Sequence, residues 1–236
     1  MLEIKNASIN YGMGEIVQNI SFQVEPGEKL VLLGRNGVGK TTTLKGMIGL
    51  LPMAKGEILL DEKNISKKKP HVRVAEGIAY VPQGREIIPY FTVRENLELG
   101  MQGRPKTAER KTLVNQINWV LEYFPALQEH MNRKGGVLSG GQQQQLAIAR
   151  ALMADPKYLM LDEPTEGIQP NIVEEMVHIL KRVAADMNVA IILVEQNINF
   201  ARKFADDYMI MHKGSIVDSG RIENISDDTI KKYLAV

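Results

Sequence analysis

The apolar positions of the chain change period along its length, and each change marks a different element. Residues 2–28 read as β. LEIKNASI and the segment from Ile16 to Val24 are short alternating runs, with Tyr11-Gly12-Met13-Gly14 as a turn between them and Glu25-Pro26-Gly27-Glu28 as a second turn. Lys29–Leu33 is a compact apolar strand that meets the glycine-rich stretch GRNGVGKT. Leu44, Met47, Ile48 and Leu51 then recur at i, i+3, i+4 and i+7, which predicts a helix ending near Gly49 and Pro52. Further strands are predicted at Glu57–Leu60, Gly77–Val81, Tyr158–Leu161 and Ala190–Val194. The last three are apolar at nearly every position, as in strands covered on both faces.

Between about 86 and 137 the strand signal disappears. Val93–Gly100 and Lys111–Phe124 carry helical periodicity, which predicts a helical subdomain (86–137) inserted in an α/β core built from residues 1–85 and 138–236. Gln142–Gln145 follows Ser139-Gly140-Gly141 and leads into Leu146–Met153, so it reads as the first turn of a helix capped by Ser139. Asp207–Val217 reads as a hairpin turning at Lys213-Gly214.

A length of 236 residues allows one large α/β domain or two small ones. Hydrophobic residues at 44% and charged residues at 24% are ordinary for a soluble globular chain. The net charge of +1 gives no global field for nucleic acid, so no nucleic-acid partner is expected. Lys67-Lys68-Lys69 reads as a solvated loop. The chain has no cysteine, so a disulfide framework and a thiolate metal site are excluded, and the cytosol is the expected compartment. MLEIKNASINYG carries no uninterrupted apolar region, so no secretory leader is expected. No stretch of about 18 apolar residues is present to span a membrane.

Gly34-Arg35-Asn36-Gly37-Val38-Gly39-Lys40-Thr41 fits G-x-x-x-x-G-K-[ST], between a predicted strand and a predicted helix. Glycines there let successive N–H groups converge on phosphate oxygens, and the helix adds its positive N-terminal end. Lys40 is expected to reach the β- and γ-phosphates, and the Thr41 hydroxyl to ligate Mg²⁺. Tyr158-Leu159-Met160-Leu161-Asp162-Glu163 is an apolar strand ending in two carboxylates, which repel unless they have separate tasks. Asp162 fits a Mg²⁺-side role, and Glu163 fits the group that polarises the attacking water. Leu138-Ser139-Gly140-Gly141-Gln142 is a second glycine-rich helix start, hence a second anion site. Two such sites make sense if one serves a nucleotide held by a partner chain.

On these motifs the chain resembles the ATP-binding subunit of ABC transporters. LSGGQ is that family's signature, and it lies between the phosphate loop and LMLDE as the family requires. The resemblance implies a P-loop ATPase core with an N-terminal antiparallel β subdomain and an inserted helical subdomain. It implies that Tyr11 stacks on adenine, that the phosphate site runs from Gly34 to Thr42, and that Gln83 contacts Mg²⁺ beside Thr41 and Asp162. It further implies a head-to-tail dimer, homodimeric or formed with a paralogous subunit. Each ATP then lies between one chain's 34–41 loop and Ser139, Gly140, Gly141 and Gln142 of the other. Transmembrane permease subunits and, indirectly, a substrate-binding protein are the implied partners, at the cytoplasmic face of the membrane.

Two positions depart from the family pattern. The histidine that usually follows the strand after the glutamate is replaced by Gln196 in LVEQN, and none of His71, His130, His178 and His212 lies near that strand end. A glutamine takes up no proton near neutral pH, so any role there is by hydrogen bonding. The loop Gly167-Ile168-Gln169-Pro170 lacks the aspartate common before the proline. LVEQN, PTEGIQP and VPQGREIIP look like the importers of branched-chain amino acids and their relatives for urea and short-chain amides. LSGGQQQQLAIARAL and Gln83-Gly84-Arg85-Glu86 look closer to the urea type. Arg85, Ile87, Ile88, Tyr90 and Phe91 form either a candidate docking groove for the permease or the helical insert's own core. A soluble ABC ATPase acting on DNA or ribosomes needs long coiled coils or two cassettes. A GTPase needs a guanine-reading motif that is missing. A small-molecule kinase leaves LSGGQ without a purpose.

Overall fold

The structure is a computed structural model that describes residues 1–12, 14–103 and 110–234. Met13 of the first predicted turn, residues 104–109 of the predicted helical stretch and the last two residues lie outside that set.

Alternation over the first residues gives β1 (Leu2–Tyr11) and β2 (Gly14–Val24), followed by β3 (Lys29–Leu33). The phosphate-loop sequence leads into α1 (Lys40–Ile48), which stops at Gly49 in a left-handed cap with φ 83°. Then come β4 (Met53–Leu60), β5 (Lys63–Asn64), α2 (Pro70–Ala75) and β6 (Ile78–Val81). α3 (Val93–Gly100) starts in a capping box between Thr92 and Glu95. α4 (Arg110–Leu121) answers the predicted helix but ends three residues before Phe124, because Pro125 disfavours helix in the residues before it, and a short α5 (Pro125–Gln128) follows. α6 (Gly140–Leu152) is capped by Ser139 as predicted.

The C-terminal part alternates β7 (Tyr158–Asp162), α7 (Pro170–Met187), β8 (Ala190–Glu195), α8 (Ile198–Phe204), β9 (Asp207–His212) and β10 (Ser215–Arg221), with α9 (Asp227–Tyr233) last. The hairpin turns at Lys213 and Gly214, both at positive φ. β4 begins four residues earlier than predicted and β10 runs four residues further, through mostly exposed positions that carry no apolar alternation. α2, α7, α8 and α9 have no counterpart among the predicted helices.

Among the described residues the strands form two sheets. One is antiparallel, in the order β2-β1-β4-β5. The other has the order β10-β9-β3-β8-β7-β6, parallel except for its β10 edge. Alternate residues of the parallel strands feed two cores. Leu30, Leu32, Met160 and Ile192 pack with α1 and the antiparallel sheet, while Val31, Leu33, Leu159 and Ile191 pack with α6, α7 and α8. Burial on both faces explains why these strands read as unbroken apolar runs. Between β6 and α6 the regular elements among the described residues are helices, joined by turns and loops, apart from one bridge pairing Thr92 with Lys134.

Candidate active site

The site lies where adjacent parallel strands end. β3 runs into the glycine loop, β8 ends at Glu195, β7 ends at Asp162 and β6 leads to Gln83. Register puts Leu33 opposite Glu195 and Asp162 opposite Val194, so the strand ends are level. In open α/β sheets this carboxyl edge is where ligands bind.

The loop wraps tightly. A Cβ at Gly34 would lie 2.6 Å from the Met211 carbonyl oxygen, so no larger residue fits. Gly39, at φ 112°, is the N-cap of α1 and provides no side-chain hydrogen bond, which leaves the first-turn amides of that helix without a side-chain partner. Lys40 is 4% exposed. Its Nζ donates to the Gly34 and Arg35 carbonyl oxygens at 2.8 and 3.1 Å and lies 3.4 Å from Glu163 Oε1. Burial lowers the Lys40 pKa, opposed chiefly by the Glu163 charge. Asn36, Gly37, Gly39, Lys40, Thr41 and Thr42 line one side of a cleft of about 460 Å³. Tyr11, Ile16, Lys45, Gln83 and Glu163 complete it. Gly34, Arg35 and Val38 form the turn behind that wall rather than the wall itself. Tyr11 is 61% exposed at the cleft, an aromatic face free to meet a planar ligand.

The two carboxylates are separated by their surroundings. Asp162 is buried and accepts hydrogen bonds from Thr41 Oγ1 at 2.9 Å and Tyr80 OH at 3.0 Å. Burial raises its pKa, while those two bonds pull it down. Burial also raises the Tyr80 pKa, assisted by the Asp162 charge, so Tyr80 stays a donor. Glu163 takes a left-handed backbone, φ 46°, with its N–H donating to the Val194 carbonyl at 3.0 Å. Its Oε1 accepts from Gln196 Nε2 at 3.2 Å and its Oε2 from Gln83 Nε2 at 3.3 Å. Gln83 Nε2 also donates to Glu166 Oε2 at 2.9 Å.

Lys40, Gln196 and Gln83 therefore converge on Glu163. Tyr80, Glu166 and Glu195, to which the sequence assigns no role, lie beside these groups: Tyr80 on Asp162, Glu166 on Gln83 and Glu195 on the Gln196 backbone. Each carries a readable signal: a phenol inside an apolar strand, an acid one turn after Glu163, and a lone carboxylate closing a buried strand. The donor set of Thr41, Asp162 and Gln83 consists of hard oxygens suited to Mg²⁺. The uncapped helix start and the buried ammonium suit a phosphate chain.

Ser139, Gly140, Gly141 and Gln142 do not line this cleft. Ser139 and Gln142 instead satisfy each other, with the Gln142 N–H donating to Ser139 Oγ at 3.3 Å and the Ser139 N–H donating to Gln142 Oε1 at 3.1 Å. Arg85 Nη1 donates to Gln143 Oε1 at 3.3 Å, which anchors the turn after Gln83 to this helix. Of the candidate docking groove, Ile87 packs on the core and Arg85 is turned to Gln143, whereas Tyr90 (81%) and Phe91 (39%) are exposed.

A strand, a glycine loop, a helix start and carboxylates on neighbouring strand ends define a P-loop nucleoside triphosphatase. The model of the ABC transporter family matches residues 17–166, and the chain belongs to that family. It is an ABC-type ATPase. It is 36% identical over 217 residues to the high-affinity branched-chain amino acid transport ATP-binding protein BraG of Pseudomonas aeruginosa, covering 92% of this chain and 91% of that one. It is 32% identical over 219 residues to the probable branched-chain amino acid transport ATP-binding protein LivF of Archaeoglobus fulgidus, covering 92% and 91%. Its fold is also similar to a solved ATP-binding cassette in a dimeric, post-hydrolysis state bound to ADP and phosphate. That match has a TM-score of 0.84 and 25% identity, and covers 95% of this chain and all of that one. Among the described residues no helix is long and apolar enough to cross a membrane.

Proposed function

We propose that this ATPase powers uptake of a small polar solute, working at the cytoplasmic face of a membrane beneath permease subunits that a substrate-binding protein supplies. The observation that carries the site assignment is the convergence of Lys40, Gln196 and Gln83 on Glu163 at the wall of the cleft. Tyr11 stacks on adenine. The amides from Gly34 to Thr42 and the Lys40 ammonium hold the phosphates. Thr41, Asp162 and Gln83 would hold Mg²⁺, which would supply charge neutralisation for the phosphate chain. Glu163 orients and polarises the attacking water, and Gln196 donates to Glu163 and to the γ-phosphate side. On this reading Lys40 leaves the Gly34 and Arg35 carbonyls for phosphate oxygens. Glu163→Gln that binds ATP but turns over at the wild-type rate would remove Glu163 from this role.

Ser139–Gln142 serves the nucleotide of a second cassette in a head-to-tail dimer, with an identical or a paralogous chain. The dimeric cassette of similar fold bound to ADP and phosphate supports pairing of two cassettes. Residues 86–137 act as a helical subdomain on a core of 1–85 and 138–236. Tyr90 and Phe91 are the exposed part of the surface that meets the permease.

Urea or a short-chain amide is the solute we favour from the LSGGQQQQ and QGRE blocks. A branched-chain amino acid is the second reading, favoured by the BraG and LivF relatives. Reconstitution with permease and binding protein separates them. Stimulation of ATP hydrolysis by urea or acetamide supports the first, and stimulation by leucine alone supports the second.

A further inference from the structure

Glu195 has no part in the hydrolysis scheme above, yet its surroundings are built around its charge. It is 3% exposed, at the last position of a wholly buried strand. One carboxylate oxygen accepts from Thr165 Oγ1 at 2.7 Å and from the Thr165 N–H at 3.3 Å. The other accepts from the Gln196 N–H at 3.1 Å and the Asn197 N–H at 3.4 Å. Every partner is a donor, and an ionised carboxylate is the one side-chain form that accepts from all of them.

These bonds join two loops. Thr165 follows Glu163 by two residues, and Gln196 follows Glu195 directly. The Glu163 N–H is itself tied to β8 through the Val194 carbonyl at 3.0 Å. Asn197 continues the junction by capping α8, its Oδ1 accepting from the Asn199 and Phe200 amides. Glu195 lines no part of the nucleotide cleft, so its removal leaves the groups that bind ATP in place.

We propose that Glu195 is a positioning residue for ATP hydrolysis: its buried carboxylate clamps the loop after Glu163 to the backbone of Gln196, and so fixes the separation of Glu163 and Gln196. The inference rests on the reading of those two side chains as the hydrolytic pair. Glu195→Gln keeps the shape but turns an amide N–H₂ toward one set of donors. Thr165→Val removes the hydroxyl donor from the opposite side.

The test compares kcat, KM and ATP affinity of full-length Glu195→Gln, Thr165→Val, their combination and Glu163→Gln. Expected for Glu195→Gln is a kcat lower by about 10- to 100-fold with ATP affinity within about threefold. The double variant should be no worse than Glu195→Gln, because both substitutions break one clamp. Equal losses in kcat and affinity, or additive losses, overturn the proposal. If Glu195→Gln does not fold, Thr165→Val decides: a kcat loss at unchanged affinity supports the clamp, and an unchanged kcat overturns it. Glu163→Gln separates the two readings. Normal turnover in that variant removes the hydrolytic pair, whereas an inactive Glu163→Gln beside fully active Glu195→Gln and Thr165→Val removes the clamp alone.

Discussion

Gln196 Nε2 donates a hydrogen bond to Glu163 Oε1 at 3.2 Å, the same oxygen that lies 3.4 Å from Lys40 Nζ. A neutral amide thus stands where a relative with histidine would offer a group able to carry charge. The acceptor is a carboxylate, and a hydrogen bond to a charged group contributes about 1.5–3 kcal/mol. Gln196→Ala is expected to lower kcat by roughly 13- to 160-fold, the rate equivalent of that range. Steady-state hydrolysis measures it, and a loss beyond about 1000-fold would show that Gln196 does more than hold Glu163.

Glu163→Gln removes the carboxylate on which three side chains converge. Loss of a positioned base costs about 10²–10⁴ in rate. ATP affinity should persist, because the loop, Lys40 and the helix start are untouched. Equilibrium nucleotide binding beside single-turnover hydrolysis separates the two effects.

The turnover profile should also lack a step from position 196. No group there titrates near the histidine reference value of about 6.5. Gln196→His should introduce such a step. A wild-type profile and a Gln196→His profile of identical shape between pH 5.5 and 7.5 (a window about one unit either side of that value) would contradict the assignment of this position as the sensor of the γ-phosphate.

Burial raises the pKa of Glu195 above the ordinary glutamate value, against the pull of Thr165, Asn197 and Gln196. A carboxyl that binds its proton more tightly folded than unfolded stabilises the fold as pH falls from its raised pKa toward the unfolded value near 4.3. Over that window the urea midpoint of the wild type should rise relative to Glu195→Gln. Parallel midpoints through the window would argue that Glu195 titrates normally.

Arg73 is fully buried and donates to the carbonyls of Gly46 (2.9 Å), Met47 (2.7 Å), Ser66 (2.7 Å) and Lys68 (3.0 Å). The first two are last-turn carbonyls of α1, where a cation also meets the negative end of the helix. Arg73→Met strands these acceptors and should cost about 3–5 kcal/mol in chemical denaturation. A cost below 1 kcal/mol would mean that water replaces the guanidinium without strain.

The elements most legible in the sequence were those with both faces buried. β3, β7 and β8 stand within one residue of the apolar runs that predicted them, since no solvent face dilutes the pattern. The Ser139 cap and the stop at Gly49 were equally readable, because each depends on local chemistry. α7 was hidden by Gly167 and Pro170, which read as loop residues although Pro170 opens the helix. The residues of the site were legible as motifs, but their mutual contacts were not. Thr41 and Asp162 are 121 positions apart, and Gln83 and Glu163 are 80 apart. Their meeting depends on a strand order that differs from chain order. Tyr80, Glu166 and Glu195 stood out by residue type and place, but no motif tied them to the site, and their partners are set only in the folded chain.

That strand order has a consequence for how the protein comes into being. β8 lies between β3 and β7, yet it is made after both. Until a ribosome has released Ala190–Glu195, the sheet lacks the strand that separates and aligns the phosphate loop and Asp162. A nascent chain can therefore complete its antiparallel sheet early, from β1, β2, β4 and β5, but gains a hydrolytic centre only near the end of synthesis. Translation products that stop short of β8 carry the glycine loop and the signature segment but lack Glu195 and Gln196.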